Sequence, residues 1–158
     1  MAELIFRTYQ SSDHEQVMLL HKEALLHANA YTGEGPWDDD LLEIENHYLK
    51  NNGWFVIGET DGRLITMGAL RKIDDHMAEI KRMRTQPDMQ GKGIGKKVLE
   101  LLINKAKELN YTEIILETSD RQPAARKIYA TYGFVPYQSE NIRGLNCTWY
   151  RKEISTSE

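Results

Sequence analysis

Residues 90–109 read QGKGIGKKVLELLINKAKEL, with glycines at 91, 93 and 95 directly ahead of a segment whose apolar residues fall at helical spacing. Ile94, Val98, Leu102 and Ala106 recur every four residues with Leu101 and Leu109 beside them, which predicts a helix with one apolar face. Asn110 closes it. Bare backbone leading into a helix N-terminus is how chains present several amide N–H groups to a phosphate. Two familiar versions of that device fail on spacing. The dinucleotide pattern G-x-G-x-x-G would need glycine at 96, where Lys96 stands. The pattern G-x-x-x-x-G-K-[ST] fails because Gly95-Lys96 is followed by Lys97, and Gln90 stands five before Gly95. Neither hydride transfer nor nucleotide hydrolysis is indicated.

Upstream, Met77 to about Thr85 reads as a strand with a slip of phase. Ala78 and Ile80 are two apart, whereas the next apolar residue, Met83, is three further on. One extra residue inserted as a β-bulge accounts for the slip and leaves backbone groups unpaired. The alternative is a plain edge strand made charged by Glu79, Lys81, Arg82 and Arg84. Before it, Gly53 and Gly58 bracket WFVI, and Asp61-Gly62 gives a two-residue turn into RLITMGALRKI, a hairpin. Nearer the N-terminus, LIFR suits a strand and residues 12–29 a helix. YTGEGPW (31–37) forces a loop, and Asp38, Asp39 and Asp40 suit the acidic start of a second helix through Leu41, Leu42, Ile44 and Tyr48.

Downstream, TEIILET (112–118) has the apolar run of a strand buried on both faces, Pro123 opens a short helix that Gly133 ends, and residues 134–137 and about 147–154 complete the sheet. Strands that precede helices in the middle, with hairpins at the ends, predict a mixed α/β (α+β) sheet with helices on both faces. The expected organisation is one domain over 1–154 and a frayed tail over 155–158.

The 158 residues suffice for an ordinary core without metals or disulfides. A net charge of −4 and a pI near 5.8 argue against nucleic acid or an acidic membrane as partner. No window reaches the apolar length of a membrane span and the N-terminus lacks a signal-peptide run, so a cytoplasmic setting is the default expectation. Cys147 is the only cysteine, which rules out an intrachain disulfide. His14 and His21 are seven apart with no third ligand, so no metal is expected.

Gln90-Gly91-Lys92-Gly93-Ile94-Gly95 matches Gln/Arg-x-x-Gly-x-Gly/Ala, and Ala125, Tyr129, Gly133 and Phe134 match a second pattern, Ala-x-x-x-Tyr-x-x-x-Gly-Phe. On these motifs, and on their order over about residues 77–138, the chain resembles the GNAT superfamily of acetyl-CoA-dependent N-acetyltransferases. The resemblance implies a mostly antiparallel mixed sheet with a splayed, bulged strand. It implies that the amides of Gln90, Gly91, Lys92, Gly93, Ile94, Gly95 and Lys96 cradle the coenzyme A pyrophosphate, and that free backbone around Met83, Arg84 and Thr85 binds the pantetheine arm. Gln122 stands where the family often carries Asn. Homodimers are an expectation by analogy alone.

The implied reaction is attack of a small-molecule primary amine on acetyl-CoA, with a proton removed from the nucleophile and one delivered to the leaving thiolate. Tyr129 occupies the position of the family's general acid. Glu79 is the first candidate for a base or relay, and Glu117 the second, either acting through water because an unperturbed carboxylate is a weak match for an alkylammonium. Tyr31, Trp37 and Glu117 are the acceptor-side candidates, with Glu34, Asp38 and Glu79 as possible counter-charges for an ammonium, which favours a cationic acceptor. Acetylation of Cys147 as an intermediate is not expected, since no Cys/His/Asp arrangement accompanies it. Two other readings stay open: acetylation of a protein N-terminus or lysine, and a non-catalytic coenzyme A sensor.

Overall fold

The computed structural model describes residues 3–155. Among the described residues seven strands make one sheet: β1 (Ile5–Thr8), β2 (Trp54–Thr60), β3 (Arg63–Lys72), β4 (Met77–Thr85), β5 (Glu113–Ser119), β6 (Val135–Ile142) and β7 (Leu145–Glu153). Their order is β1-β2-β3-β4-β5-β7-β6, and every neighbouring pair is antiparallel except β4 with β5. The helices are α1 (His14–His27), α2 (Ile94–Glu108) and α3 (Pro123–Thr131). All but the first residue of the expected C-terminal tail lies outside the described residues.

Strand alternation divides the core into two layers, because successive side chains point to opposite faces. On β2, Phe55 and Ile57 pack with Val17, Leu20 and Ala24 of α1, whereas Val56 packs with Val98, Leu99 and Leu102 of α2. β3 divides the same way, with Met67 and Ala69 facing α1 and Leu70 facing α2. Each fully buried leucine contributes roughly 1.5–3 kcal/mol, so both layers matter to stability. Gly68 lets α2 lie close on β3. A Cβ there would sit 2.7 Å from Val98 and 2.9 Å from Leu102.

The second helix predicted after the Asp38–Asp40 run is not an α-helix. Pro36–Leu42 winds as 3-10 turns and Glu45–Leu49 as a single π turn. The aspartates do not cap it. The Asp40 carboxylate is buried, accepting from Arg82 Nε at 3.0 Å and from the Tyr48 hydroxyl, while Asp38 accepts from Arg82 Nη1 at 3.1 Å. Long-range ion pairs thus displace the helix-dipole role that local spacing predicts. At the start of α1, Asp13 accepts from the Gln10 amide at 2.8 Å and from both Arg7 Nη atoms at 2.8 and 2.7 Å, which pins the helix to β1.

Candidate active site

The predicted bulge is present, and it sets which way the site's side chains face. Ala69 pairs with Lys81 and Met67 with Arg84, so Gly68 alone stands opposite Arg82 and Met83. Arg82, within the bulge, takes φ +58, a left-handed conformation uncommon for a non-glycine residue. Because Ala69 and Met67 share a face, Lys81 and Arg84 share one too, although three residues apart. Without the bulge they would face opposite ways. Met83 instead packs against the α2 layer with Ala78 and Ile80, the phase slip read from the sequence.

Pairing of β4 with β5 ends at Ile80 opposite Leu116. From Lys81 onward β4 is bonded to β3 alone, while Glu117, Thr118 and Ser119 of β5 pair only with β7. The two parallel strands part here, leaving a slot between Met83–Thr85 and Glu117–Ser119. Tyr129 of α3 is buried, and its hydroxyl lies 3.8 Å from Met83 Sδ. Burial pushes its phenol up to about 12, against the opposing pull of the Arg84 charge.

Where β4 runs out, the chain enters the glycine loop. Gln90 Nε2 donates to the Thr85 carbonyl at 3.2 Å, tying the loop back to the strand. Gly91 and Gly93 take φ +77 and +80, and a Cβ on either would meet nothing within 4 Å. The loop is therefore glycine for its backbone turn and its open outer side, not for internal packing. Lys97 N–H is the first amide of α2 with a helical acceptor, the Gly93 carbonyl at 3.3 Å, so those of Ile94, Gly95 and Lys96 point out of the helix end unpaired. Exposed Lys92 and Lys96 flank this row of donors. An anionic pyrophosphate fits such a cradle.

On the α1 side the slot opens into a cleft of about 130 Å³, walled by α1, the 30–38 loop, β4, β5 and the β6–β7 turn. Its wall is an ion network. Arg82 donates to Asp38, to both Asp40 oxygens and, at 2.7 Å, to the Trp37 carbonyl, clamping the 3-10 segment to the bulge. Burial and Arg82 act in opposite directions on Asp40, and the carboxyl ends below its ordinary range. His21 is 3% exposed, with Nε2 3.1 Å from Asp38 Oδ1 and Nδ1 buried without a partner. Burial, reinforced by the charge of Arg84, lowers its pKa to about 4, so the ring is neutral at pH 7. From the far rim, Arg143 stacks 4.6 Å over the Trp37 ring and donates to Thr32 Oγ1 at 3.2 Å.

Residues 18–134 match the model of the Acetyltransferase (GNAT) family. The chain belongs to the GNAT acetyltransferase family. The N-acetylaspartate synthetase of Rattus norvegicus is 30% identical over 133 residues, covering 83% of this chain and 40% of that protein. The chain thus spans about two fifths of that relative's length. Among solved structures, a GNAT-family acetyltransferase from Staphylococcus aureus superposes with a TM-score of 0.88 at 22% identity, covering 97% of this chain and 100% of the other. A GNAT superfamily phosphinothricin acetyltransferase from Sinorhizobium meliloti, solved in complex with acetyl-CoA, superposes at 0.79 with 18% identity, over 96% and 88% of the two chains. Acetyl-CoA is the family's acetyl donor.

In this GNAT chain the sequence candidates fall into two groups. Gln90 to Lys96, Met83 and Thr85 lie along β4 and the loop, while Tyr31, Trp37, Glu79, Glu117 and Gln122 line the cleft. Gln122 is engaged, its Oε1 accepting from Thr118 Oγ1 at 3.3 Å. Arg84 bridges the groups: its backbone lies on the splayed edge and its side chain turns into the cleft. Glu79 is buried and ion-paired with Arg71 Nη2 at 3.1 Å. The expected counter-charges for a cationic acceptor are not free. Asp38 and Glu79 are paired within the protein, and Glu34 is exposed outside the cleft. His21, Lys81, Arg82 and Arg143 were not candidates as cleft residues. The KRMR run from Lys81 to Arg84 was the available signal, since four residues carrying three cations beside a phase slip is unusual for a central strand.

Proposed function

We propose that this chain is an acetyl-CoA-dependent N-acetyltransferase acting on the primary amine of a small molecule, by direct attack with both substrates bound. The observation that carries this is the slot between β4 and β5, which joins the glycine-loop side of the sheet to the charged cleft. Acetyl-CoA bound along it would supply an activated acetyl group. The amides of Gln90 to Lys96 hold its pyrophosphate, and the free edge of β4 at Met83–Thr85 holds the pantetheine arm. An amide near Met83 would stabilise charge developing on the thioester oxygen.

Tyr129 donates a proton to the departing sulfur. A phenol near 12 is a weak acid beside a thiol near 8.5, so it acts as a hydrogen-bond donor that releases its proton only as charge builds on sulfur. Of the two carboxylates, Glu117 suits the amine better, because no cation within the protein pairs with it among the described residues, whereas Arg71 holds Glu79. Glu117 accepts the amine's proton through water as the N–C bond forms and the C–S bond breaks. Cys147 carries no acetyl group: burial, with Glu117 beside it, pushes its thiol up to about 12.

A small acceptor is favoured over a peptide by the strap that Arg143 forms across the cleft to Trp37 and Thr32. The rat relative's name, that of an enzyme forming N-acetylaspartate, supports the same choice. Thiol release from acetyl-CoA across a panel of small amines and short peptides tests it. Release with small amines is expected, retained in Cys147→Ser. Release with peptides alone would refute the small acceptor, and a trapped acetyl-cysteine would refute direct attack.

A further inference from the structure

The cleft holds more positive charge than its own carboxylates answer. Arg82 is matched twice over, by Asp38 and Asp40, and Glu79 is matched by Arg71. Three lining cations remain: Arg143, which stacks on Trp37 at the far rim, and Lys81 and Arg84 on the β4 wall. Lys81 has no carboxylate within ion-pair distance among the described residues, and Arg84 has none either. Arg84 Nη1 donates only to the Met83 carbonyl at 2.9 Å, and its Nε is buried with no partner. An unpaired guanidinium in a protein interior is costly unless an anion meets it. The ring of His21, buried and with Nδ1 unpartnered, lines the same space. Across the slot stands Glu117, the one lining carboxylate without a cation among the described residues.

This is a complementary set. The bulge turns Lys81 and Arg84 to one face, a few residues apart along β4, while Glu117 marks the point where β5 leaves β4. A planar guanidinium fork suits a carboxylate, and an ammonium on a flexible stem suits a second one nearby. We propose that the acceptor is an amino acid carrying two carboxylates, held by Arg84 and Lys81, with its amino group directed to Glu117 at the mouth of the slot. The inference rests on the acetyl-transfer reading above. It reverses the cationic preference drawn from the acidic residues in the sequence, since those residues are spent within the protein.

The test has two arms. In the first, thiol release is followed with aspartate, glutamate, alanine and putrescine, for wild type, Arg84→Gln, Arg84→Lys and Lys81→Met. The dicarboxylic amino acids should exceed alanine and putrescine in kcat/KM by at least tenfold. Arg84→Gln should lower kcat/KM for them by about 100-fold, with the KM for acetyl-CoA within about twofold and partial recovery in Arg84→Lys. Lys81→Met, at a half-exposed position, should bring aspartate and alanine closer together in a protein that folds normally. The second arm is calorimetry with succinate, a dicarboxylate lacking the amine, which should bind wild type and lose affinity in both neutralising variants. Preference for putrescine or alanine, or an unchanged ranking in both variants, overturns the inference while acetyl transfer stands. Absence of both thiol release and acetyl-CoA binding removes the transfer reading itself, and succinate binding then decides whether the cleft is a dicarboxylate site.

Discussion

The two ends of the β4–β5 slot are built on opposite principles. The side proposed for the coenzyme is one continuous stretch, residues 83–96, that offers backbone: glycines with positive φ, outward amides, exposed lysines. The side proposed for the acceptor is assembled from α1, the 30–38 loop, β4, β5 and the β6–β7 turn, and offers charged side chains, some held in ion pairs and some without a partner among the described residues. Where recognition uses backbone, the residues can change without disturbing the core. Where it uses charged side chains, the binding groups stand beside the ion pairs that hold the fold.

The sharpest way to break that contrast is Arg82→Gln. Both partners in the Arg82–Asp40 pair are less than 10% exposed as side chains, so removing the guanidinium leaves a buried carboxylate unanswered and should cost about 3–5 kcal/mol. Urea unfolding monitored by tryptophan fluorescence measures it. A loss below about 1 kcal/mol would mean the network is ornamental.

Next comes pH. The His21 ring is held neutral in the folded protein, with a pKa near 4 set first by burial and then by the Arg84 charge, against about 6.5 when unfolded. Between those values the unfolded chain binds the extra proton. The contribution is therefore complete above pH 6.5 and lost as pH falls toward 4, on the order of 3 kcal/mol across the window. Stability curves of His21→Gln should be flatter than wild type there. Parallel curves would assign the acid sensitivity to other groups.

The same contrast explains what could be read from the sequence. The glycine loop, α2, the β2–β3 hairpin and the bulge were legible because each is fixed by neighbours a few residues away. Tyr129 was singled out by the family pattern it shares with Gly133 and Phe134, and the fold sets its hydroxyl beside Met83. The cleft was not. Asp38 and Asp40 look like helix caps until Arg82, more than 40 residues on, takes them, and only pairing with β3 shows that Lys81 and Arg84 share a face. Glu79 reads as a free carboxylate until Arg71 is set opposite it on β3. Local pattern carries no information about which charge finds which.

Between the two ends sits Tyr129, and Tyr129→Phe separates chemistry from both. The ring keeps its edge contacts, 6.0 Å from Phe134 and 6.2 Å from Tyr150 between centroids, so packing persists. Loss of the donor should lower kcat by roughly 100-fold with acetyl-CoA affinity unchanged. Wild-type turnover would reduce the residue to a core aromatic.

The smallest effect tests the coenzyme side alone. Gly93→Glu places a side chain and a negative charge where the loop is open, with nothing within 4 Å to collide in the free protein. Its φ of +80 adds strain of about 1–2 kcal/mol for any L side chain, so Gly93→Ala serves as the control that carries strain without charge or bulk. Acetyl-CoA affinity should fall at least tenfold in Gly93→Glu, about 1.4 kcal/mol, and clearly more than in Gly93→Ala. The acceptor KM and the pH window of His21 should stay as in wild type, since neither depends on this loop. Equal losses of affinity in the two variants would mean that loop conformation matters and the phosphate cradle does not. Unchanged affinity in a folded Gly93→Glu would remove the cradle altogether, and with it the claim that the two ends of the slot recognise their ligands by different means.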